Sequence, residues 1–297
     1  MTEGRNDGRR EGLDPKAILA ALGVSGAQGI APVPGGQDTA IWRVEREDGV
    51  YALRVFRAEQ AETCRRELAA MQCAAAGGIS VPIVHAAGTW QDRPALLLSW
   101  CSGQTLLEML ETRPQDAARL SVLFGQMHAQ IHRLTAHASV FSPSDWIGWA
   151  GSSEQPLQTA LRALPLRPDA LLHLDYHPLN VLADGERITA VLDWANAGAG
   201  DLRADAARTL SILRLAPVPT DIPNTVVLRT RRLIERGWRR GYEQVAGPLG
   251  DLTPFFAWAG AVMERDLRPR LGRPGIDEAY LARIRRWTAY WKHRMGI

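Results

Sequence analysis

Lysine is almost absent from this chain of 297 residues, since Lys16 and Lys292, each near an end, are the only two. Arginine therefore has to supply any cation that the middle of the chain needs. The formal net charge is only +3, which is too small to indicate a nucleic-acid partner. Six arginines between Arg229 and Arg240 keep a nucleic-acid-binding helix open as an alternative, but the interleaved apolar residues favour a solvated amphipathic face.

Cysteines and long apolar runs are scarce as well. The three cysteines, Cys64, Cys73 and Cys101, have spacings that match no zinc or disulfide framework. We therefore expect buried thiols in a reducing compartment, which predicts a cytoplasmic protein. No stretch approaches the roughly eighteen apolar residues that span a membrane. Residues 1–12 are polar and predict a disordered tail rather than a signal peptide.

What is present is ordinary for a soluble globular protein, with 46% hydrophobic and 23% charged residues. Thr39 to Glu45 and Gly49 to Phe56 predict two strands joined through an Asp48-Gly49 turn. Alternation places Ala52 and Arg54 on the same face of the second strand. A small residue two positions before a cation suits a nucleotide site, because it leaves room for adenine while the cation meets the phosphates.

Two helices are predicted from composition and spacing. Glu59 to Ala76 is rich in helix formers and ends at Gly77-Gly78. Asp116 to Leu134 repeats apolar residues at helical spacing. His128 and His132 lie one turn apart on this second helix, a spacing that could bind a metal ion. No third ligand is evident from the sequence, so we interpret the two histidines as packing residues.

The most informative stretch runs from Leu171 to Asp205 and holds Asp175, Asn180 and Asp193 among apolar neighbours. Two short apolar runs flank Asp184-Gly185, which predicts a β-hairpin with a tight turn. The hairpin would bring Asn180 and Asp193 to one end of the same ribbon, with Asp175 in the loop just before it. An amide and two carboxylates so placed can hold Mg²⁺ and position a hydroxyl group for attack on a phosphate.

The order of these residues resembles the H-R-D-x-x-x-x-N and D-F-G elements of kinases. The closer resemblance is to the aminoglycoside phosphotransferase family, whose catalytic loop typically reads H-G-D-x-H-P-x-N and is followed by I-D-W or I-D-F. This chain has Leu174 in place of the glycine. The positions that it keeps are His173, Asp175, His177, Pro178, Asn180, Asp193 and Trp194. The resemblance extends from about Ala31 to about Leu215 and, more faintly, to the C-terminus.

The resemblance implies an α+β, two-lobed, protein-kinase-like fold with ATP in the cleft. Residues 1–103 would form the N-terminal lobe, with a small antiparallel sheet, one helix and a hinge at 99–103. Residues 104–297 would form a mostly helical lobe with the catalytic loop and the acceptor pocket. Asp175 would be the catalytic residue, while Asn180 and Asp193 would hold Mg²⁺.

The same resemblance assigns the nucleotide contacts. Arg54 would replace the usual lysine over the phosphates, and Glu67 would hold it, although Glu59 and Glu62 are alternatives. Ala52 would lie beside adenine. Backbone groups of Ser99 and Cys101 would read the edge of the adenine. The Gly35-Gly36 pair before the first hairpin would cover the phosphates.

The acceptor is less determined than the chemistry. No long activation segment or A-P-E motif follows Asp193, so a protein substrate is not expected. A small hydroxylated molecule, such as an aminoglycoside-like antibiotic or a metabolite, is the predicted partner besides the nucleotide. The C-terminal third mixes a few carboxylates with many arginines and tryptophans, which favours an acceptor less cationic than an aminoglycoside. A nucleotide-binding regulatory protein without turnover is the alternative.

Overall fold

A five-stranded antiparallel sheet occupies the N-terminal part of the computed structural model, which describes residues 10–33, 39–136, 141, 145–217 and 224–297. In the sheet the strands lie in the order β1-β2-β3-β5-β4. Their bounds are β1 (Ala27–Pro32), β2 (Ala40–Arg46), β3 (Gly49–Val55), β4 (Val84–Trp90) and β5 (Arg93–Ser99). Because β3 pairs with both β2 and β5, the strand that carries Arg54 is central and its backbone is fixed on both sides.

Each face of the sheet packs against one helix. On one face α1 (Pro15–Ala21) contributes Ile18 and Leu19 to a buried cluster with Leu53 and Val55. Helix α1 is capped by Asp14, whose carboxylate accepts the N–H of Lys16 at 2.9 Å. The opposite face packs on α2 (Ala61–Ala76), which ends at Gly77 as predicted.

The remainder of the chain is mostly helical. Its helices are α3 (Leu106–Thr112), α4 (Ala117–His132), α5 (Gln155–Arg162), α6 (Leu202–Leu215), α7 (Asn224–Ala246), α8 (Thr253–Leu267) and α9 (Glu278–Met295). Short strands join them, namely β6 (Gln104–Thr105), β7 (Ala170–Leu172), β8 (Val181–Ala183), β9 (Ile188–Val191) and β10 (Gly198–Gly200). One continuous core runs from α2 through α4 and α6 to α8, so the helical part supports the segment that carries the motif.

The predicted fold class is confirmed, with an antiparallel sheet followed by a helical part. Strand β1 and helix α5 were not anticipated, because Gly29 and Pro32 interrupt the first segment and Pro156 lies in the second. The Asp184-Gly185 hairpin also closes more loosely than a two-residue turn, since Ala183 pairs with Ile188 across four loop residues. Within the described residues, none of the helices is long and apolar enough to cross a bilayer.

Helices α4 and α7 cross at glycines. A Cβ atom added to Gly125 would collide with the carbonyl oxygen of Trp238, and one added to Gly241 would collide with that of Val122. Both obstacles are backbone atoms of the other helix, so neither can move aside as a side chain can. The close crossing holds α4 in place, and the buried face of α4 supports the candidate site.

We therefore predict that Gly241→Ala lowers the free energy of unfolding by about 3 kcal/mol, because the two helices must separate to admit a methyl group. Chemical denaturation of the purified variant measures the loss. Gly29→Ala is the matched control, since a Cβ atom there meets only the Glu45 side chain, with Oε2 nearest at 2.9 Å. Equal losses in the two variants would contradict the close packing of α4 and α7.

Candidate active site

The hairpin of β8 and β9 brings two of the predicted site residues to its open end. Val181 pairs with Val191, so Asn180 precedes one strand and Asp193 follows the other closely. The N–H of Leu192 donates to the carbonyl oxygen of Asn180 at 2.8 Å, which extends the pairing beyond the strands. Residues far apart in the chain thus become neighbours through strand pairing alone.

The buried ring of His173 joins the catalytic loop to the loop of Asp193. Its Nδ1 accepts the N–H of Asp175 at 3.2 Å, and its Nε2 lies 2.9 Å from the carbonyl oxygen of Leu192. Because Nδ1 accepts, Nε2 must carry the proton and donate it. Burial lowers the pKa of His173, which favours this neutral form, in which the ring contacts both loops.

Leu174, which replaces the glycine typical of the family, has a left-handed backbone with φ of 58°. This conformation costs a branched residue about 1–3 kcal/mol. Its N–H donates to Asp205 at 3.0 Å, its carbonyl oxygen accepts from Nε of Arg208 at 2.5 Å, and its side chain is fully buried. Contacts on both sides of the residue therefore maintain the strained turn that directs Asp175 outward.

Asp205, in the first turns of α6, anchors this loop from below. Its carboxylate accepts the N–H of His173 at 2.6 Å as well as that of Leu174. Burial raises the pKa of Asp205, but its close contacts with His128 and His132 hold that pKa well below its ordinary value. An ionised carboxylate with two backbone donors is a strong, charge-assisted anchor for the loop.

Asp175 is accessible, with 27% of its side chain exposed. Burial raises the pKa of Asp175. The hydrogen bond and charge of His177, together with Arg208 and His173, outweigh this effect and lower the pKa to about 2. The carboxylate is therefore ionised throughout the physiological range and is a weak base. Its chemistry suits orienting a hydroxyl group and accepting its proton late, as a loose phosphoryl-transfer transition state requires.

Asn180 and Asp193 lie at the same end of the β8–β9 hairpin. Nδ2 of Asn180 donates to the carbonyl oxygen of Asp175 at 3.0 Å, a bond that does not use its Oδ1. Asp193 has a left-handed backbone with φ of 59°, and 44% of its side chain is exposed. An amide oxygen and a carboxylate held in this way are the ligands that a small divalent cation prefers.

Arg54 crosses from the sheet to meet these residues. Its guanidinium contacts Oε1 of Glu67 at 2.5 Å and Oδ1 of Asp193 at 2.9 Å. The alternatives to Glu67 pair elsewhere, Glu59 with Arg57 and Glu62 with Arg65. Glu67 is almost fully buried, and burial raises its pKa to about 7 although Arg54 lowers it. A planar group with several donors can hold both carboxylates at once.

The predicted adenine contacts lie on neighbouring strands. Ala52 is half-buried and faces Leu98 across the β3–β5 pair. The N–H of Ser99 already donates to the carbonyl oxygen of Ile83 at 2.8 Å. Sγ of Cys101 lies 4.0 Å from the carbonyl oxygen of Ser99. Gly35 and Gly36 lie outside the described residues.

The buried group that supports the catalytic loop was anticipated only in part from the sequence. His128 and His132 both approach Oδ2 of Asp205, at 3.3 and 3.2 Å. The ring of His128 stacks on Tyr176 with centroids 4.1 Å apart. Gly200-Asp201 and Asp205 resemble a G-D-x-x-x-D element of the family, and this resemblance implied that Asp205 holds the catalytic and metal loops together. It gave no sign that Asp205 is also the neighbour of His128 and His132. Arg208 lies one turn further along α6, and no sequence pattern indicated that it contacts the loop of Asp175.

This group predicts a dependence of stability on pH. Burial and His132 lower the pKa of His128 to about 3, so the folded protein resists a proton that the unfolded chain binds below about pH 6.5. The contribution of neutral His128 to the free energy of unfolding is therefore fully present above about pH 6.5. It is lost as the pH falls, by up to about 1.4 kcal/mol per pH unit. His128→Phe keeps an aromatic ring against Tyr176 but cannot take up a proton. Between pH 6.5 and 5 its free energy of unfolding should therefore fall less steeply than that of the wild type, by up to about 1.4 kcal/mol per pH unit.

Denaturation curves at a series of pH values measure the slope, and His293→Phe at an exposed position is the control. Identical slopes for wild type and His128→Phe would show that His128 does not carry this dependence.

Comparisons with known proteins agree with the geometry. A model of the phosphotransferase enzyme family matches residues 29–247. A comparison with curated proteins finds no match. A solved complex of an amicoumacin kinase with AMP-PNP, Ca²⁺ and Ami has a TM-score of 0.69 at 14% identity, covering 97% of this chain and 96% of that chain.

Two further solved structures are similar. A thermostable mutant of an aminoglycoside phosphotransferase, in ternary complex with ADP and hygromycin B, has a TM-score of 0.62 at 16% identity and covers 93% of this chain and 96% of that chain. A Plasmodium vivax ethanolamine kinase has a TM-score of 0.61 at 11% identity and covers 93% and 86%. At such identities the likeness establishes the fold.

Proposed function

Because the chain belongs to the phosphotransferase enzyme family, we propose that it transfers the γ-phosphoryl group of ATP to a hydroxyl group of a small molecule. The observation that carries this proposal is the convergence of Asp175, Asn180 and Asp193 with the cation Arg54. These residues come from a loop, a hairpin and a sheet that are joined to one another by backbone and side-chain contacts. The N-terminal part up to residue 103 and the helical part from residue 104 would enclose the nucleotide between them.

Asp175 accepts the hydrogen bond of the acceptor hydroxyl and directs its oxygen at the γ-phosphorus. The new bond joins this oxygen to phosphorus, and the bond from phosphorus to the β–γ bridging oxygen breaks. ADP leaves, and the hydroxyl proton passes to Asp175 and then to water. Positioning of the two reactants supplies most of the rate increase in this class of reaction.

The residues present fit a magnesium ion, because Asn180 and Asp193 offer hard oxygen ligands to one space. When bound, Mg²⁺ would neutralise phosphate oxygens during transfer. Arg54, held by Glu67, would turn from Asp193 to the phosphates. The Ser99 carbonyl and the Cys101 N–H would read adenine beside Ala52, with the Gly35-Gly36 segment over the phosphates. The free thiols Cys64, Cys73 and Cys101 suit a cytoplasmic location.

A protein substrate has no docking segment in this arrangement. After Asp193 a single 3₁₀ turn and β10 lead directly to Leu202, the first residue of α6. Protein kinases need a long activation segment at this place. The acceptor is therefore a small molecule, such as a hydroxylated antibiotic or metabolite.

We predict that Asp175→Asn lowers kcat by about 10³-fold, because the amide cannot accept the hydroxyl proton. The affinity for ATP should stay within about twofold of wild type, since the nucleotide is held by other residues. Steady-state assays and calorimetry measure the two effects. Asp184→Asn, on the exposed hairpin loop, is the matched control.

Wild-type turnover in Asp175→Asn would contradict the catalytic assignment. If the wild-type protein binds ATP but phosphorylates no acceptor, the regulatory nucleotide-binding alternative replaces the proposal.

We also predict that Asp193→Ala removes most of the gain in ATP affinity that Mg²⁺ provides, because one metal ligand is lost. Binding of ATP without Mg²⁺ should not weaken, since Arg54 is then freed from its 2.9 Å contact with Asp193 and can pair with phosphate. Calorimetric titrations with Mg²⁺ and with EDTA give the comparison, and Asp184→Ala serves as control. Equal losses in both titrations would show that Asp193 acts on the nucleotide without the metal.

A further inference from the structure

A chain of polar contacts connects the catalytic loop with the end of α8. Arg208 donates from Nε to the carbonyl oxygen of Leu174 at 2.5 Å and from Nη2 to Oδ2 of Asp266 at 3.0 Å. The Arg208 guanidinium is also near enough to Asp175 to help lower its pKa. The end of α8 is therefore joined to the turn that carries Asp175 through one side chain, that of Arg208.

Asp266 is shared between two arginines. Nε and Nη2 of Arg265 donate to its Oδ1 at 2.9 and 2.5 Å, while Arg208 holds its Oδ2. Two guanidinium groups and one carboxylate leave this unit with a net charge of +1. Among the described residues, Nη1 of Arg208 has no hydrogen-bond partner and is buried. The Asp266 carboxylate therefore does not satisfy all the donors of the two guanidinium groups, and the other anion near Arg208 is Asp175.

Arg265 is the exposed member of the unit. Its side chain is 44% exposed, whereas that of Arg208 is 7% exposed. The guanidinium lies 5.7 Å from the ring centroid of Trp149 and donates from Nη1 to the carbonyl oxygen of Trp149 at 2.8 Å. A cation that is fixed by a carboxylate below and an indole beside it is preorganised to bind an anion.

The other carboxylates near the C-terminus already have partners, either arginines or backbone N–H groups. Glu264 pairs with Arg268 and Arg285 at 2.7 and 3.3 Å, and Glu278 pairs with Arg285 at 3.2 Å. Asp251 and Asp277 accept backbone N–H groups at 2.9 and 2.7 Å. Residues 251–297 contain these five carboxylates, counting Asp266, against eight arginines and one lysine. Binding a polycation here would require breaking several of these pairs.

We infer that the acceptor is a hydroxyl compound that carries a carboxylate or a similar oxyanion, and that Arg265, fixed by Asp266 and Trp149, binds this group. The inference rests on the proposed phosphotransferase function and specifies its substrate class. The oxyanion would bind the exposed guanidinium of Arg265, while the hydroxyl group of the same molecule reaches Asp175. A polycationic aminoglycoside would meet arginines where it needs carboxylates.

The test uses pairs of acceptors that differ only in a carboxylate. Ethanolamine and L-serine form one pair, 3-aminopropanol and L-homoserine a second, and hygromycin B represents the polycations. Phosphate esters are detected by mass spectrometry after incubation of the full-length protein with Mg²⁺ and ATP. We expect kcat/KM for the carboxylate member to exceed that of its partner by about tenfold or more, which corresponds to about 1.4 kcal/mol, and no transfer to hygromycin B.

A variant separates binding of the oxyanion from a merely structural role of Arg265. Arg265→Gln should raise KM for the carboxylate member about tenfold with kcat nearly unchanged, and should leave KM for the partner without a carboxylate unaltered. Arg265→Lys should recover part of the loss because it keeps the charge. Arg286→Gln, at an exposed position on α9, is the matched control.

The possible results distinguish the acceptor class, the role of Arg265 and the proposed function. Preferred transfer to hygromycin B or to the amino alcohols overturns the acceptor class and leaves the phosphotransferase function standing. An equal rise of KM for both members of a pair in Arg265→Gln shows that Arg265 only supports the fold, and it overturns the assignment of Arg265. Absence of transfer to every acceptor, with ATP still bound, overturns the proposed function and the inference with it.

Discussion

The arrangement of the site depends on one buried carboxylate. Asp205 accepts the N–H groups of His173 and Leu174, and these bonds hold the turn in which Leu174 has its left-handed backbone. A residue with a side chain adopts that conformation only where the surroundings enforce it. Without the carboxylate, two buried N–H groups would lose their partner at a cost of about 1–3 kcal/mol each. Asp175 would then lose its fixed direction.

From this anchor a series of contacts extends in two directions. Towards the sheet, His173 holds the carbonyl oxygen of Leu192, and the Asp193 that follows reaches Arg54 of the central strand. Towards the C-terminus, Arg208 holds the carbonyl oxygen of Leu174 and passes to α8. The proposed nucleotide side and the proposed acceptor side are thus both connected to the same three-residue turn. Since phosphoryl transfer depends mainly on positioning, a single rigid reference for both reactants is what the chemistry needs.

The sequence predicted those parts of the site that local rules determine. Strand alternation placed Ala52 and Arg54 together, and the apolar runs around Asp184-Gly185 set the hairpin that joins Asn180 to Asp193. Helical spacing limited the partner of Arg54 to a few glutamates. Contacts between distant segments were beyond these rules. The Arg208–Asp266 pair is separated by 58 positions, and neither residue belongs to a periodic pattern. The neighbour of His128 and His132 likewise became visible only when α6 was packed on α4.

The most direct test of the central claim is a crystal structure of the protein with AMP-PNP and Mg²⁺. We expect a magnesium ion about 2.1 Å from Oδ1 of Asn180 and from the Asp193 carboxylate. We also expect the γ-phosphate to face Asp175, and Arg54 to contact phosphate oxygens while it keeps its contact with Glu67. A nucleotide bound away from the hairpin, or a metal held without Asn180 and Asp193, would contradict the central claim.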